Sequence, residues 1–402
     1  MRLLLFASEF PPGPGGIGTH AHQLAGHLQQ LDWDVLAVAP QDYATEAEVT
    51  SFNAAQAYRI CRLTRRGGRG RTSLHRLRTV WQAFRDFAPD VALASGARAV
   101  WLMPILARQF RLPWVAVGHG TEFGARGLLP RIVTRWAYQQ ADCLVAVSCF
   151  TEQYIRRVGI VPSLCHVIPN GADDGRFGIV PTESIERLRE TLPPEVRRIL
   201  VTVGHVTPRK GQETVIRALP RIIAACPDTH YFMIGLPAIK SQLERLADEL
   251  GVAEHVHFLG RLGGEQVVQW LNLCDVFVMT SKHTEDGDFE GYGIAVVEAA
   301  LCGKPSVVSN DSGLVEAVVD GETGIAVPQG DPTATADAIL SLIGASGDER
   351  RQRMGAAARA RAAAEQTWSL RARQYDALLR EIVAAAPERR GTSEVGVGNT
   401  AP

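Results

Sequence analysis

Two carboxylates, Glu290 and Glu298, bracket the run Glu290-Gly291-Tyr292-Gly293-Ile294-Ala295-Val296-Val297-Glu298. The run follows an apolar stretch, Val276–Met279, and a polar loop ending Glu285-Asp286-Gly287-Asp288-Phe289. A helix starting near Gly293 and running to Leu301 leaves Glu290 in the loop. It carries Glu298 about a turn and a half into the helix. The amides of Gly291, Tyr292 and Gly293 then lie beside the positive helix end. Carboxylates accept hydroxyl protons and amides bind phosphate. The arrangement suits a molecule with hydroxyls at both ends and phosphates in the middle, as in a nucleotide sugar.

A second anion-binding element is Thr207-Pro208-Arg209-Lys210-Gly211, between the apolar run Ile199–Val203 and a helix expected over Gln212–Leu219. Adjacent cations at the carboxyl end of a strand stand where open parallel sheets bind ligands. Lys210 is one of four lysines in a chain with 38 arginines. A lysine is a compact charge suited to a diphosphate, and Arg209 adds a fork of donors. The loop Gly13-Pro14-Gly15-Gly16-Ile17-Gly18 matches G-x-G-x-x-G. A glycine turn feeding a helix start can bind any phosphate. Its dinucleotide form wants the first glycine at the strand end and an acid closing the second strand. Here Glu9-Phe10-Pro11-Pro12 intervenes, Pro14 removes an amide, and the acid is Asp42. An NAD-dependent oxidoreductase is thus a competing reading, which leaves Arg209-Lys210 and the two glutamates unexplained. Asp286-Gly287-Asp288 has the D-x-D spacing of a metal–diphosphate site without a third ligand, so a solvated loop and no metal are expected.

Strands and helices must place these groups. Apolar runs at Arg2–Ala7, Val35–Ala39, Val91–Ala94, Trp114–Val117 and Cys143–Val147 alternate with helical periodicity. The series restarts at Ile199–Val203, then His230–Ile234, His255–Phe258, Val276–Met279, Ser306–Ser309 and Gly324–Val327. Two series of βαβ units predict an α/β protein of two doubly wound, Rossmann-like domains. The expected divisions are 1–180, 181–365, a crossover helix over 366–386 and a disordered tail over 387–402. In that helix Trp368, Leu370, Tyr375, Leu378, Leu379 and Ile382 share a broad face.

Composition narrows the classes. Of the 402 residues, 46% are hydrophobic and 21% charged, as in folded globular chains, and the net charge is −1. General nucleic-acid binding is excluded on that balance. Residues 1–180 hold 19 Arg, no Lys and 13 acids, about +6, while residues 181–402 come to about −7. The seven cysteines form no C-x-x-C pair. With no signal or membrane-spanning segment, free thiols in the cytoplasm are expected.

Taken in order, these motifs resemble the retaining glycosyltransferases of family 4, with their two-Rossmann GT-B fold, and within them the phosphatidylinositol mannosyltransferases. The residues carrying the resemblance are Gly15-Gly16, His119-Gly120-Thr121-Glu122 and Ile168-Pro169-Asn170-Gly171. In the second half they are Arg209-Lys210-Gly211, Glu290/Glu298, and Ser312-Gly313 with Glu316. The resemblance implies two domains facing across a cleft and a terminal helix returning to the first. It implies that Lys210 and Arg209 bind the donor diphosphate. Glu290 would hold the donor sugar with the amides of Gly291, Tyr292 and Gly293, and Glu298 the ribose. Gly15-Gly16 would offer an amide to phosphate, His119 would sit near the anomeric carbon, and Arg261 beside the base. Catalysis would rest on His119, Lys210 and Glu290, without a metal. Two departures are His205, where relatives commonly carry an arginine, and Asp311-Ser312-Gly313, where many have paired glycines.

The implied reaction moves a hexose from a GDP- or UDP-sugar to an acceptor hydroxyl with retention, with no further cofactor. Eight arginines fall between Arg59 and Arg78, and Gly67, Gly68 and Gly70 predict a mobile loop in their middle. A basic acceptor domain suits a glycan or lipid-linked acceptor and an anionic membrane surface at the inner face. A non-catalytic nucleotide-sugar-binding protein, an epimerase and a glycan phosphorylase are the remaining alternatives.

Overall fold

A computed structural model describes residues 1–13, 15–124, 127–285 and 287–392, the last six by backbone only. The chain forms two units. One comprises Met1–Val147, Thr151–Pro169 and the terminal helix from Trp368; the other comprises Ser148–Phe150 and Asn170–Thr367.

In the first unit the described strands are β1 (Arg2–Ala7), β2 (Asp34–Ala39), β3 (Arg59–Arg62), β4 (Val91–Ser95), β5 (Trp114–Gly118), β6 (Cys143–Ala146) and β7 (Cys165–Val167). They pair in the order β3-β2-β1-β4-β5-β6-β7, every pair parallel. The central strands read as unbroken apolar runs because helices cover both faces: Leu3, Leu4, Leu5 and Val91–Ala94 have no exposure. β3 and β7 were not expected. Both are edge strands, half-buried, and one begins and ends with arginine, so neither shows the apolar run of an interior strand.

The Arg59–Arg78 segment is irregular only in its middle, over residues 63–68, and Gly70 already belongs to a helix. Arg59 and Arg62 belong to β3, and Arg69, Arg71, Arg76 and Arg78 to the helix Arg69–Phe87. Four of the eight are paired: Arg59 with Asp34, Arg62 with Glu46, and both Arg65 and Arg76 with Asp42.

The second unit contains β8 (Arg198–Val203), β9 (Thr229–Ile234), β10 (Val256–Gly260), β11 (Val276–Met279), β12 (Ser306–Ser309) and β13 (Gly324–Val327), ordered β10-β9-β8-β11-β12-β13. His255 stands in a short 3₁₀ turn before β10 rather than in the strand. The helix after Gly211 runs from Gln212 to Ala225, past the expected Leu219. The unit takes up the chain at Asn170, eleven residues before the expected start at 181. Ala172 N donates to Gln366 O, and Ala172 bridges Thr367, fastening this stretch to the second sheet's unit.

The terminal helix, Trp368–Thr392, packs against the helix Gly16–Gln30. Trp368, Tyr375, Leu378, Leu379 and Ile382 are buried, and Trp33 Nε1 donates to Asp376 Oδ1 at 2.7 Å. The expected disordered tail is corrected over residues 387–392, which continue the helix after an alanine run of high helical propensity. Residues 393–402 of that tail lie outside the described residues.

Candidate active site

The second sheet places its functional residues at one topological position. Arg209 and Lys210 follow β8, and Glu290 follows β11, the adjacent strand across the point where strand order reverses. There the carboxyl ends of neighbouring strands diverge and leave a crevice. Glu290 Oε2 accepts from both Lys210 Nζ and Arg209 Nη1 at 2.6 Å. Arg209 Nε also reaches Asp288 at 3.2 Å, and Ser281 Oγ lies 3.5 Å from Glu290. The Glu290 and Lys210 side chains are only 12% and 13% exposed, so water screens the cluster weakly.

Burial alone would raise the Glu290 carboxyl, but Lys210 and Arg209 override it and hold it at about 2. Burial lowers Lys210 against the pull of Glu290. Asp288 is raised by its own burial, despite Arg209. The expectation of a solvated loop is therefore corrected at Asp288, which is half-buried and serves as a counter-ion. Spacing alone says nothing of how deeply a loop packs; Phe289, 1% exposed, draws its neighbour inward. Asp286 lies outside the described residues.

Gly293 ends the Glu290 loop with φ of 90°, and a Cβ there would collide with Leu314. Only glycine takes this turn without strain. The helix Ile294–Leu301 starts immediately after it, as expected, and the described amides of Gly291, Tyr292 and Gly293 precede the helix. The Tyr292 ring is buried and its hydroxyl accepts from Gln366. Glu298 is raised to about 7 by burial, with Arg176 pulling the other way. Arg176 was not singled out in the sequence; its guanidinium lies against Gly264, and it gives Glu298 a cationic neighbour. His205, beyond β8, is lowered by burial and then by Lys210 and Arg209, and its Nε2 is buried without a partner. Arg261 is not drawn to the sheet centre: it is exposed at the end of β10, the edge strand.

The first unit holds His119 and the glycine loop. His119 is buried, with Nε2 hydrogen bonded to Ser95 Oγ at 2.9 Å, and burial lowers it to about 3, so the ring is neutral. Glu122 fixes its backbone: Oε1 accepts from His119 N at 2.7 Å and from the Tyr138 hydroxyl at 2.8 Å. Edge-on to His119 lies His20, which is bonded to the Tyr375 hydroxyl on the returning helix. Gly15 caps the helix Gly16–Gln30, and the space beside Gly16 is open. Pro14 lies outside the described residues.

The dinucleotide alternative meets two obstacles here. Gly15 packs directly on the Glu9 carboxylate, which would face any diphosphate in the loop; burial and then Glu122 raise that carboxyl to about 7. Asp42, the acid wanted for a ribose, is already held bidentately by Arg76 and paired with Arg65.

Residues 14–176 match the family model described as Glycosyltransferase Family 4, and residues 176–361 match that for group 1 glycosyl transferases. A GDP-mannose-dependent alpha-(1-6)-phosphatidylinositol monomannoside mannosyltransferase of Mycolicibacterium smegmatis is 31% identical, over 94% of this chain and 98% of its own. The chain is a family 4 glycosyltransferase. The Corynebacterium glutamicum enzyme for the monoacylated form of that lipid is 29% identical, over 92% of this chain and 95% of its own. Among solved structures, Anabaena HepE in complex with UDP and glucose superposes with a TM-score of 0.79 at 22% identity, covering 94% of this glycosyltransferase and 99% of HepE. Sucrose-phosphate synthase from Thermosynechococcus elongatus superposes equally well, at 22% identity over 96% and 99% of the two chains. The fold of this glycosyltransferase is GT-B.

Proposed function

We propose that this glycosyltransferase moves a hexosyl group from a nucleoside-diphosphate sugar to a hydroxyl of a lipid-linked acceptor, with retention at the anomeric carbon. GDP-mannose is the first donor to test, because the mannosyltransferases it resembles over nearly their whole length use it. The observation that carries the reading is the cluster of Lys210, Arg209 and Glu290 at the strand crossover. Lys210 and Arg209 take the diphosphate, whose charge grows as the glycosidic bond breaks, and so stabilise the leaving group. Glu290 orients both cations and accepts hydroxyls of the sugar. The amides of Gly291, Tyr292 and Gly293 supplement the cations, which makes a divalent metal unnecessary. Glu298 receives the ribose, and Arg261 is assigned to the base.

A carboxylate bound to two cations is a poor nucleophile toward carbon, so Glu290 is not assigned a covalent intermediate. The leaving phosphate instead accepts the acceptor proton as the hydroxyl attacks on the same face. His119 is assigned to the sugar as a neutral hydrogen-bonding group, and Gly16, beside which the space is open, as the phosphate-binding amide of the Gly15-Gly16 turn. Among the described residues no helix is long and apolar enough to cross a membrane. A peripheral attachment is proposed, through the arginine-rich face of the first unit.

The test is a donor screen that reads nucleoside diphosphate release with a phosphatidylinositol mannoside acceptor, followed by NMR of the new linkage. Release with GDP-mannose or a UDP-hexose and an α product from an α donor are expected. NAD-dependent oxidation without sugar transfer, or an inverted linkage, would overturn the reading.

A further inference from the structure

Two opposite charges in the second unit stand within electrostatic range of each other without forming an ion pair. Glu298 lies half-buried on the helix Ile294–Leu301, and the charges it feels are Arg176 and, more weakly, Asp173. Neither its carboxylate nor the Arg176 guanidinium makes a hydrogen bond or an ion pair among the described residues. Glu290 and Glu316, by contrast, are engaged. Glu290 accepts from Lys210 and Arg209, and Glu316 accepts from the amides of Cys149 and Phe150, both at 2.8 Å. Glu298 keeps its acceptor capacity for something else.

Arg176 is held firmly for a side chain with no ion pair. Its guanidinium lies 5.1 Å from the centroid of the Phe177 ring and rests on Gly264, where a Cβ would meet Nη2 at 2.5 Å. Gly264 opens the helix Gly264–Leu273, and a helix start repels a cation. Glu265, in the same turn, is exposed and forms no ion pair with it among the described residues. Helix capping therefore does not account for the arginine, and the group that offsets it is Glu298. Burial holds the Glu298 carboxyl at about 7 even with Arg176 beside it. Without that cation the protonated form gains, and a protonated carboxyl gives up part of its acceptor capacity.

We propose that Arg176 is a positioning residue for the donor: held over Phe177 and against Gly264, it supplies the charge against which the Glu298 carboxylate accepts the two ribose hydroxyls. Arg176 acts through Glu298 and touches no reacting atom. The inference rests on the assignment of Glu298 to the ribose made above and adds the group that makes this carboxylate a competent acceptor.

The test is calorimetric titration of the full-length chain at pH 7 with GDP and with UDP. The tighter nucleotide is then compared with its 2′,3′-dideoxy form. Arg176→Gln is expected to weaken the nucleotide about 3- to 10-fold, the effect of one charge near a half-buried carboxylate. Turnover at saturating donor should stay within about 2-fold of wild type, because the lost interaction is the same in ground and transition states. In a Glu298→Gln background the same substitution should change affinity by less than about 2-fold, since no carboxylate remains for it to act on. The dideoxy nucleotide should bind Arg176→Gln and wild type alike. A nucleotide-free Tm within about 2 °C of wild type shows that the variant is folded. Unaltered nucleotide binding by Arg176→Gln overturns the proposal. So does a loss that persists with Glu298→Gln or with the dideoxy nucleotide, because Arg176 would then touch the ligand itself or support the helix. A fall in saturating turnover also overturns it. The wild-type chain reads the donor site separately: failure to bind either nucleotide counts against the proposed function, whereas binding that is sensitive to Glu298→Gln and indifferent to Arg176→Gln counts only against this inference.

Discussion

The two units share a strand order around their centres and put cations at the same ends of their sheets, yet they treat those cations in opposite ways. In the second unit Arg209 and Lys210 are buried and bound to Glu290. In the first, Arg69 and Arg98 are exposed and have no ion-pair partner among the described residues. A buried cation cannot stand alone, because desolvation costs more than the fold can bear, so its counter-ion is part of the architecture. The same pairing fixes the side chains before any ligand arrives. Exposed cations keep their rotamer freedom and adapt to a ligand of variable shape. On the function proposed above, the buried pair suits a small rigid diphosphate and the exposed arginines suit a surface.

The sharpest way to break this contrast is to remove its buried member. Lys210→Ala and Glu290→Ala should each lower turnover by about 10²–10³, the scale of losing one preorganised charge-stabilising group. Steady-state rates with the donor found in the screen decide this; near wild-type turnover would place the chemistry elsewhere.

Stability provides a second test. The Glu290 carboxyl, lowered to about 2, contributes roughly 3 kcal/mol of stability at neutral pH. That contribution is fully present above the unfolded value near 4.5 and is lost as pH falls toward 2. Urea unfolding of Glu290→Ala at pH 7 should show a loss of about that size, also expected for a buried pair deprived of one partner. The gap from wild type should close as the titration approaches pH 2.

A smaller effect concerns His205. Burial and the neighbouring cations lower it in the free protein, and a bound diphosphate would raise it, so binding takes up a proton. Donor affinity should fall about 3- to 10-fold as pH rises from 5.5 to 8. His205→Arg should flatten that profile, because a guanidinium does not titrate there. Equal dissociation constants at the two pH values would remove His205 from the diphosphate. The smallest effect falls on the exposed side: Arg69→Gln/Arg98→Gln should change unfolding free energy by no more than about 0.5 kcal/mol. A larger loss would mean these arginines support the fold, erasing the difference between the units.

The interior of both sheets was readable from residue order, because a strand buried on both faces is largely apolar: β1, β11 and β12 lie where their sequences put them. So does β13 at the edge of the second sheet, but the edges of the first sheet did not show. Arg59-Ile60-Cys61-Arg62 reads as a charged loop until β2 is there to pair with it. The site divides in the same way. Glu290 and Lys210 stood out because their residue types sit oddly in a glycine loop and an arginine-dominated chain. Asp288 and Arg176 did not, since what matters about them is depth and a partner far along the chain, neither of which spacing encodes. Asp42 marks the limit of motif reading: its position suits a ribose, and two arginines occupy it.

The helix that begins at Trp368 has a consequence for how the protein is made. His20, on the helix Gly16–Gln30, and Trp33 just beyond it are sealed by residues synthesised long after them. The strands of the first sheet are all synthesised by Val167, but that unit must wait for some 200 further residues, roughly ten to forty seconds at bacterial translation rates, before its final layer arrives. Through that interval an apolar helical face stays uncovered, so a stop codon that removes only the last helix would leave the second unit whole and strand the first as an aggregation-prone intermediate.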